Sequence, residues 1–278
     1  MSSQSSRPAL GWFFSDSLAV TKRHVIKITR IPETLFFALI QPIMFVLLFA
    51  FVFGGAINLG AGGDPKAYRE FLIPGIFAQT VMFAVASITV GITEDANKGI
   101  MDRFKSLPMS PGAVLSGHTF ASLVQNLLVI VMLSITGLAV GWRIRGSAID
   151  TLLAFALLAL FAYAITWLGA WIGLHMPSPE VAGTAGLAWI FPLTFASSVF
   201  TPIATMPSWL QGIAQWNPVS CLALATRDLF GNPIPFPGTS FPEQHAVALS
   251  FGYAVLILAI FAPLAVRAFK SRSANSRG

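Results

Sequence analysis

Long apolar stretches without charge alternate with short polar segments along the whole chain. Six stretches lack Asp, Glu, Lys and Arg, and each approaches the ~20 residues that a helix needs to cross a bilayer. They cover residues 34–53, 71–93, 118–141, 151–174, 181–201 and 245–266. Helices are expected because a strand edge facing lipid would leave backbone groups unpaired. The pattern predicts an all-α polytopic membrane protein with six transmembrane helices.

Composition supports this prediction. Of the 278 residues, 55% are apolar and only 10% are charged, and the mean hydropathy is +0.74. A soluble domain carries roughly 25% charged residues, so a soluble enzyme is excluded. The single cysteine, Cys221, excludes a disulfide within the chain. The net charge of +6 fits basic loops beside anionic headgroups better than nucleic-acid binding.

The distribution of basic residues predicts the orientation in the membrane. With six spans, the N-terminal segment, the loop after span two and the tail share one side, and they hold twelve Lys and Arg residues. The other side holds five, which are Lys66, Arg69, Arg143, Arg145 and Arg227. The excess predicts that both termini are cytoplasmic. No signal-peptide cleavage is expected, and residues 1–278 are expected to form one transmembrane domain.

Residues 10–31 have the spacing of an amphipathic helix before the first span. Phe14 and Leu18 recur on one face, whereas Arg23 and Lys27 recur on another. Pro32 then ends the helix. A basic helix with an aromatic face is typical of the membrane interface, although a simple cytoplasmic extension of span one is the alternative.

Residues 94–117 form the longest cytoplasmic loop of this topology. Glu94 and Lys98 have the spacing of an i,i+4 ion pair, and Ile100, Phe104 and Leu107 form an apolar stripe before Pro108. A short helix with such a stripe suits docking into a groove on a soluble partner. Packing of the stripe against the chain's own bundle explains the pattern equally well.

Residues 202–244 follow the fifth span and contain two half-length helical segments. Asn217 and Pro218 predict a cap and first turn, and Gly231 predicts a stop. Helices of this length are typical of re-entrant or interfacial elements, and Trp209 and Trp216 suit the headgroup level. The segment is expected to be an extracellular cap, with or without a role in transport.

The chain lacks the motifs of an enzyme or an ATPase. No HExxH or GxSxG sequence and no Gly-Lys pair of a phosphate loop occurs. The six spans also lack the ionisable residue on which a gradient-driven carrier depends. Their uncharged polar residues suggest helix–helix hydrogen bonds or, alternatively, a pathway lining. These residues are Gln41, Gln79, Thr80, Gln125, Asn126, Thr194, Ser197 and Ser198.

Small residues and prolines within the spans are the remaining signals. Gly137 with Gly141, and Gly169 with Gly173, have the GxxxG spacing that allows close helix approach, within the chain or between two copies. Pro192 lies near the middle of the fifth stretch and predicts a functional bend.

Two motifs together resemble those of a known family. The first runs from Glu94-Asp95 through Asp102-Arg103-Phe104 to Leu107-Pro108, and the second is Asn217-Pro218 followed by Arg227-Asp228. With the basic helix before span one, they resemble the permease subunits of type-2 ABC exporters, especially the daunorubicin-resistance group of bacteria. His118 departs from this resemblance, because an arginine is expected there.

The resemblance implies partners and location. The chain would be a multi-pass protein of the bacterial inner membrane that binds no cofactor itself. It would pair with a second permease, identical or related, and with two copies of a cytosolic ATPase that binds ATP and Mg²⁺. The amphipathic helix and the coupling loop would touch the ATPase. The implied coupling residues are Glu94, Asp95, Gly99, Asp102, Arg103, Phe104, Leu107 and Pro108.

The predicted function is ATP-driven export of a hydrophobic drug, lipid or glycoconjugate by this non-enzymatic subunit. The substrate path is expected along spans two and five, lined by Phe77, Phe83, Phe191, Pro192 and Phe195. A membrane scaffold or assembly factor without transport is the main alternative. A gradient-driven carrier is disfavoured by the lack of intramembrane charge.

Overall fold

The computed structural model describes residues 32–53, 65–98 and 111–275, and these residues form helices and loops without a strand. The helices are α1 (Pro32–Leu47, continued by a π-helical turn, Leu48–Phe53), α2 (Pro65–Asn97), α3 (Pro111–Val140), α4 (Ala148–Gly173), α5 (Pro179–Phe195), α6 (Ser208–Trp216), α7 (Pro218–Leu229), α8 (Phe241–Gln244) and α9 (Ala246–Asn275), with a 3₁₀ turn at Ile203–Thr205. The predicted interfacial helix and residues 99–110 lie outside the described residues.

Four of the helices are long and apolar enough to cross a membrane. These four are α2, α3, α4 and α9. The prediction of a helical, polytopic membrane protein is confirmed at this level. The other two predicted spans correspond to shorter helices, because α1 has 16 residues before its π-helical turn and α5 has 17.

Helix α2 is the centre of the bundle. It packs against α3, α4, α5 and α7, and its side chains from Tyr68 to Val85 are almost all buried. The reason is its sequence, which is apolar on every side and therefore finds cover only inside the protein. By contrast, α3 and α9 present large apolar side chains outward, including Val131, Ile135 and Leu256.

The contact between α2 and α4 depends on two glycines. Thr89 Oγ1 donates to the Gly169 carbonyl at 3.1 Å, and Thr93 Oγ1 donates to the Gly173 carbonyl at 2.9 Å. A Cβ at Gly169 would overlap Ile88, and one at Gly173 would lie 2.6 Å from the Thr89 carbonyl oxygen. This GxxxG pair therefore serves packing within the chain.

The second GxxxG pair also serves the chain's own fold. A Cβ at Gly137 would lie 3.0 Å from the Ile73 side chain and 3.3 Å from Trp142. Gly141 has a φ of +108°, which glycine adopts without the steric cost that a side chain would add, and it ends α3. The motif thus combines a close helix approach with a turn.

The antiparallel bundle has two ends, which we call the Glu94 end and the Trp142 end. At the Glu94 end, His118 Nε2 lies 3.2 Å from Asp95 Oδ2, and Asn97 Nδ2 donates to the Pro177 carbonyl at 3.0 Å. The first contact joins the end of α2 to the beginning of α3. The second joins α2 to the α4–α5 loop.

At the Trp142 end, the α3–α4 turn is fastened to α2 and α7. The Trp142 indole donates to Asn232 Oδ1 at 2.8 Å, and its ring packs against Phe77 and Phe230. Arg145 contacts the Glu70 carboxylate at 2.7 Å. Hydrogen bonding and attraction to Glu70 raise the pKa of Arg145.

The fifth apolar stretch differs from the expected uninterrupted helix to residue 201. Helix α5 ends at Phe195, and the chain turns through residues 196–202 before α6 and α7. The short helices α6 and α7 are present as predicted, but α7 is buried from Val219 to Arg227. The segment between α5 and α9 therefore returns into the bundle.

Replacement of Gly169 by Ala should destabilise the protein by about 1–3 kcal/mol, because the added methyl group would overlap Ile88 on α2. Cys221 is fully buried, so its reaction with a thiol-reactive dye during heating reports unfolding. Gly91→Ala is the matched control, since a Cβ there meets nothing within 4 Å. Equal melting temperatures for both variants would contradict the packing role of Gly169.

Candidate functional site

Helix α7 enters the bundle through a cap that also holds the end of α5. Asn217 Oδ1 accepts a hydrogen bond from the Val219 amide at 2.9 Å, which confirms the predicted cap. Its Nδ2 donates to the carbonyls of Leu193 and Ala196 at 2.7 and 3.0 Å. One side chain therefore satisfies groups at two helix ends that meet inside the protein.

Arg227 carries a charged side chain in this region and is fully buried. Its Nε donates to the Phe71 carbonyl at 2.7 Å, and the guanidinium lies 3.6 Å from the centre of the Phe71 ring. Its Nη2 donates to the carbonyls of Ser198 and Val199 at 2.8 and 3.0 Å. Within the described part of the chain, no acidic side chain forms an ion pair with it.

The Arg227 contacts require a glycine on α2. A Cβ at Gly75 would lie 2.5 Å from the Val199 carbonyl oxygen and 2.7 Å from Arg227 Nη2. Gly75 therefore lets the 196–202 turn approach the backbone of α2. Sequence reasoning counted Arg227 as a loop charge and so missed this role. The Arg227-Asp228 motif after Asn217-Pro218 was the available signal.

Six phenylalanines form a contiguous track from the middle of the bundle towards the Trp142 end. The rings of Phe83 and Phe191 are 5.2 Å apart, and those of Phe195 and Phe200 are 5.4 Å apart. The phenylalanine track consists of Phe45, Phe49, Phe83, Phe191, Phe195 and Phe200. Phe191 and Phe195 are 41% and 51% exposed, so an apolar molecule has access to their rings.

The structure divides the predicted substrate-path residues into two groups. Phe83, Phe191 and Phe195 lie together in the track, and Pro192 is in the last turn of α5 beside them. Phe77 is separate, because it is fully buried with Trp142 and Phe230 at the Trp142 end. Sequence reasoning did not single out the other three track members, although Phe45 and Phe49 have i,i+4 spacing.

A cavity of about 300 Å³ adjoins the track at the middle of the bundle. Phe45 and Phe83 form part of its wall, and the rest comes mainly from α1, α2 and α3. Five uncharged polar residues noted in the sequence meet here, although they belong to three helices. They are Gln41, Gln79, Thr80, Gln125 and Asn126.

The predicted coupling and cap residues lie at opposite ends. Glu94 pairs with Lys98 at 3.3 Å, as the spacing predicted, and Asp95 lies beside His118. Gly99, Asp102, Arg103, Phe104, Leu107 and Pro108 lie outside the described residues. At the opposite end, Trp209 and Trp216 on α6 are 71% and 54% exposed.

The described residues include no group of three or more His, Cys, Asp or Glu that could hold a metal ion.

The family model described as ABC-2 type transporter matches residues 16–230, which include α1 to α7. The chain belongs to the ABC-2 type transporter family. The matched region contains the track, the cavity and Arg227 of this ABC-2 permease.

Curated relatives extend the similarity over nearly the whole chain. The ABC-2 permease is 28% identical to the daunorubicin resistance ABC transporter permease protein DrrB1 of Streptomyces coeruleorubidus, over 98% of this chain and 92% of that protein. It is 22% identical to DrrC of Mycobacterium tuberculosis, named a probable doxorubicin resistance ABC transporter permease, over 84% of this chain and 83% of that protein. The chain is a permease subunit of an ABC exporter.

Replacement of Arg227 by Met should lower stability by at least ~2 kcal/mol and abolish export, because carbonyls of Phe71, Ser198 and Val199 lose their donor inside the protein. Arg227→Lys should retain only part of the wild-type stability and export, because an ammonium group lacks the planar fork of donors of a guanidinium. Thermal unfolding, followed by the reaction of Cys221 with a thiol-reactive dye, checks the loss of stability. Arg267→Met is the control, because Arg267 is exposed on α9. A wild-type melting curve for Arg227→Met would contradict this role.

Proposed function

We propose that this ABC-2 permease exports an amphipathic, largely apolar compound along the phenylalanine track. The contiguous track from the mid-bundle cavity towards the Trp142 end is the observation that carries the proposal. Aromatic rings offer apolar contact to many different molecules without fixed hydrogen-bond geometry. The drug-resistance names of two relatives support a drug-like substrate.

The proposed topology has six membrane-crossing helices, with both termini in the cytoplasm and the Trp142 end outside. Helix α1 and its π-helical turn together would extend over about 33 Å, which is sufficient for one crossing. Helix α5 is too short to cross the membrane alone. The buried α7 would fill the remaining thickness of the membrane beyond the end of α5. The exposed Trp209 and Trp216 then lie at the outer headgroups, in the inner membrane of a bacterium.

Energy would come from a separate ATPase with bound ATP and Mg²⁺, present in two copies at the Glu94 end. The Asp95–His118 contact joins the helices on either side of residues 99–110, and the Asn97 contact joins α2 to the α4–α5 loop. A displacement of residues 99–110 by the ATPase would therefore move α2 together with α3 and the α4–α5 loop. Such a movement would shift the permease between inward- and outward-open populations.

A second permease chain, identical or related, would complete the pathway. The exposed Phe191 and Phe195 form only one side of a route, and α1 and its π-helical turn also carry exposed apolar side chains, such as Met44 and Phe51. A facing chain would enclose the track and keep the substrate from diffusing into lipid. A two-fold arrangement is the commonest way in which two similar chains associate.

Replacement of both Phe191 and Phe195 by Ala should reduce ATP-dependent transport of daunorubicin at least ~10-fold, because two exposed rings of the track are removed. The measurement is daunorubicin accumulation in proteoliposomes that contain the permease and the ATPase encoded beside it. Phe251→Ala on α9 is the matched control, since Phe251 is also exposed. Accumulation without nucleotide or ATPase, or unchanged transport in the double variant, would contradict the proposal.

Replacement of Asp102 and Arg103 by Ala, singly and together, should lower drug-stimulated ATP hydrolysis and weaken co-purification of the ATPase. The reason is that both charges lie in the loop proposed to contact it. Lys66→Ala is the control, because Lys66 is exposed and lies at the opposite, Trp142 end of α2. Wild-type hydrolysis and co-purification in all three loop variants would contradict the proposed coupling role.

A further inference from the structure

The mid-bundle cavity contains a buried hydrogen-bond donor without a partner. Gln79 is 3% exposed and lines the cavity, and its Nε2 has no hydrogen-bond partner among the residues that the structure describes. An unpaired amide at this depth costs free energy, because it has lost its hydrogen bonds to water. The side chain is therefore suited to a ligand that brings an acceptor oxygen.

Two other polar groups of the cavity wall bond within their own helices. Thr80 Oγ1 donates to the Ile76 carbonyl at 2.7 Å, and Asn126 Nδ2 donates to the Ser122 carbonyl at 3.0 Å. Thr89 on the same α2 helix differs from them, because its hydroxyl reaches the Gly169 carbonyl of α4 as well as the Val85 carbonyl of its own helix. Helix–helix bonding thus explains Thr89 but does not explain the polar wall of the cavity.

A proline adds a potential acceptor to the same wall. Pro42 lies inside α1 and has no N–H to donate to the Ala38 carbonyl one turn earlier, and both residues line the cavity. The cavity therefore combines an amide donor from α2 with a carbonyl from α1. A hydroxyl group matches both features, whereas a carbonyl oxygen matches the amide donor alone.

The wall carries no charge, which defines the ligand further. None of the cavity-lining residues is Asp, Glu, Lys, Arg or His. A volume of about 300 Å³ is at the lower limit for small-molecule sites, so the cavity suits part of a larger molecule. Gln41 lines the cavity and is exposed, so the cavity reaches the protein surface beside α1.

We propose that this cavity binds the uncharged, oxygen-bearing part of an amphipathic substrate, with Gln79 as the donor to a carbonyl or hydroxyl oxygen. The inference rests on the proposed export function and names the chemistry that the permease selects. Phe45 and Phe83, at the cavity wall, would contact the adjoining apolar part of the same molecule. Gln41, Thr80, Ser122, Gln125 and Asn126 would contribute further polar contacts.

The test uses 4-propylbenzophenone, an uncharged ketone whose carbonyl carbon inserts into nearby C–H bonds under light. The full-length permease in nanodiscs is irradiated with it, and adducts are mapped by mass spectrometry. Adducts are expected in residues 38–45, 79–87 and 122–129. Labelling of residues 251–260 on α9, where Phe251, Val255, Leu256 and Ile260 are exposed, provides an internal reference for contact from lipid.

Competition in the wild-type protein separates hydrogen bonding from apolar packing. Benzanilide keeps a carbonyl between two rings and should suppress cavity labelling, whereas diphenylmethane lacks the oxygen and should compete at least threefold more weakly. Gln79→Leu should lower cavity labelling about threefold or more relative to residues 251–260. Gln125→Leu is a second, half-buried cavity variant, and Ser134→Ala on the same α3 helix is the control.

Thermal unfolding, followed by the reaction of Cys221 with a thiol-reactive dye, checks that each variant is folded. Equal competition by both compounds, unchanged labelling in both cavity variants, or adducts confined to residues 251–260 would overturn the proposal. Drug-stimulated ATP hydrolysis of the same preparation with its ATPase reports the proposed export function separately. Cavity labelling without stimulated hydrolysis would leave the site standing and contradict export. Stimulated hydrolysis without cavity labelling would support export and overturn the cavity site.

Discussion

The buried guanidinium of Arg227 resolves the main conflict in this fold, which is a broken backbone inside an apolar bundle. Because α5 ends at Phe195, the carbonyls of Ser198 and Val199 face protein instead of continuing a helix. Arg227 donates to both and to the Phe71 carbonyl of α2. A charge at this depth is expensive unless such partners surround it. The re-entrant segment and the central helix are therefore stabilised by the same side chain.

Helix α2 connects all the regions to which we assign a role. In chain order it contacts Arg227, lines the mid-bundle cavity at Gln79, packs against α4 at Thr89 and Thr93, and carries Asp95 beside α3 in its last turn. It is covered on most sides, so it moves with its neighbours and not independently. A displacement at the Glu94 end would thus reach the proposed substrate pathway through one rigid element.

The uncharged polar residues of this permease serve two different purposes. Thr89, Thr93 and Ser220 hydrogen-bond to backbone groups of other segments and hold the bundle together. Gln79 instead lines the cavity, and its Nε2 has no hydrogen-bond partner among the residues that the structure describes. In an environment without water, this difference supports separate structural and ligand-binding roles for the polar groups. The phenylalanine track beside the cavity would supply the apolar half of the proposed site.

The sequence by itself determined the helical membrane class, the long apolar helices, the Asn217–Pro218 cap and the Glu94–Lys98 pair, because these depend on composition and near-neighbour spacing. Only the tertiary structure decided that α5 stops at Phe195, that Arg227 is buried, and that Phe77 and Phe83 belong to different clusters. It also decided that Gly169 and Gly173 pack against α2. These features depend on contacts between residues far apart in the chain, and apolar helices carry little periodicity that distinguishes lipid from protein.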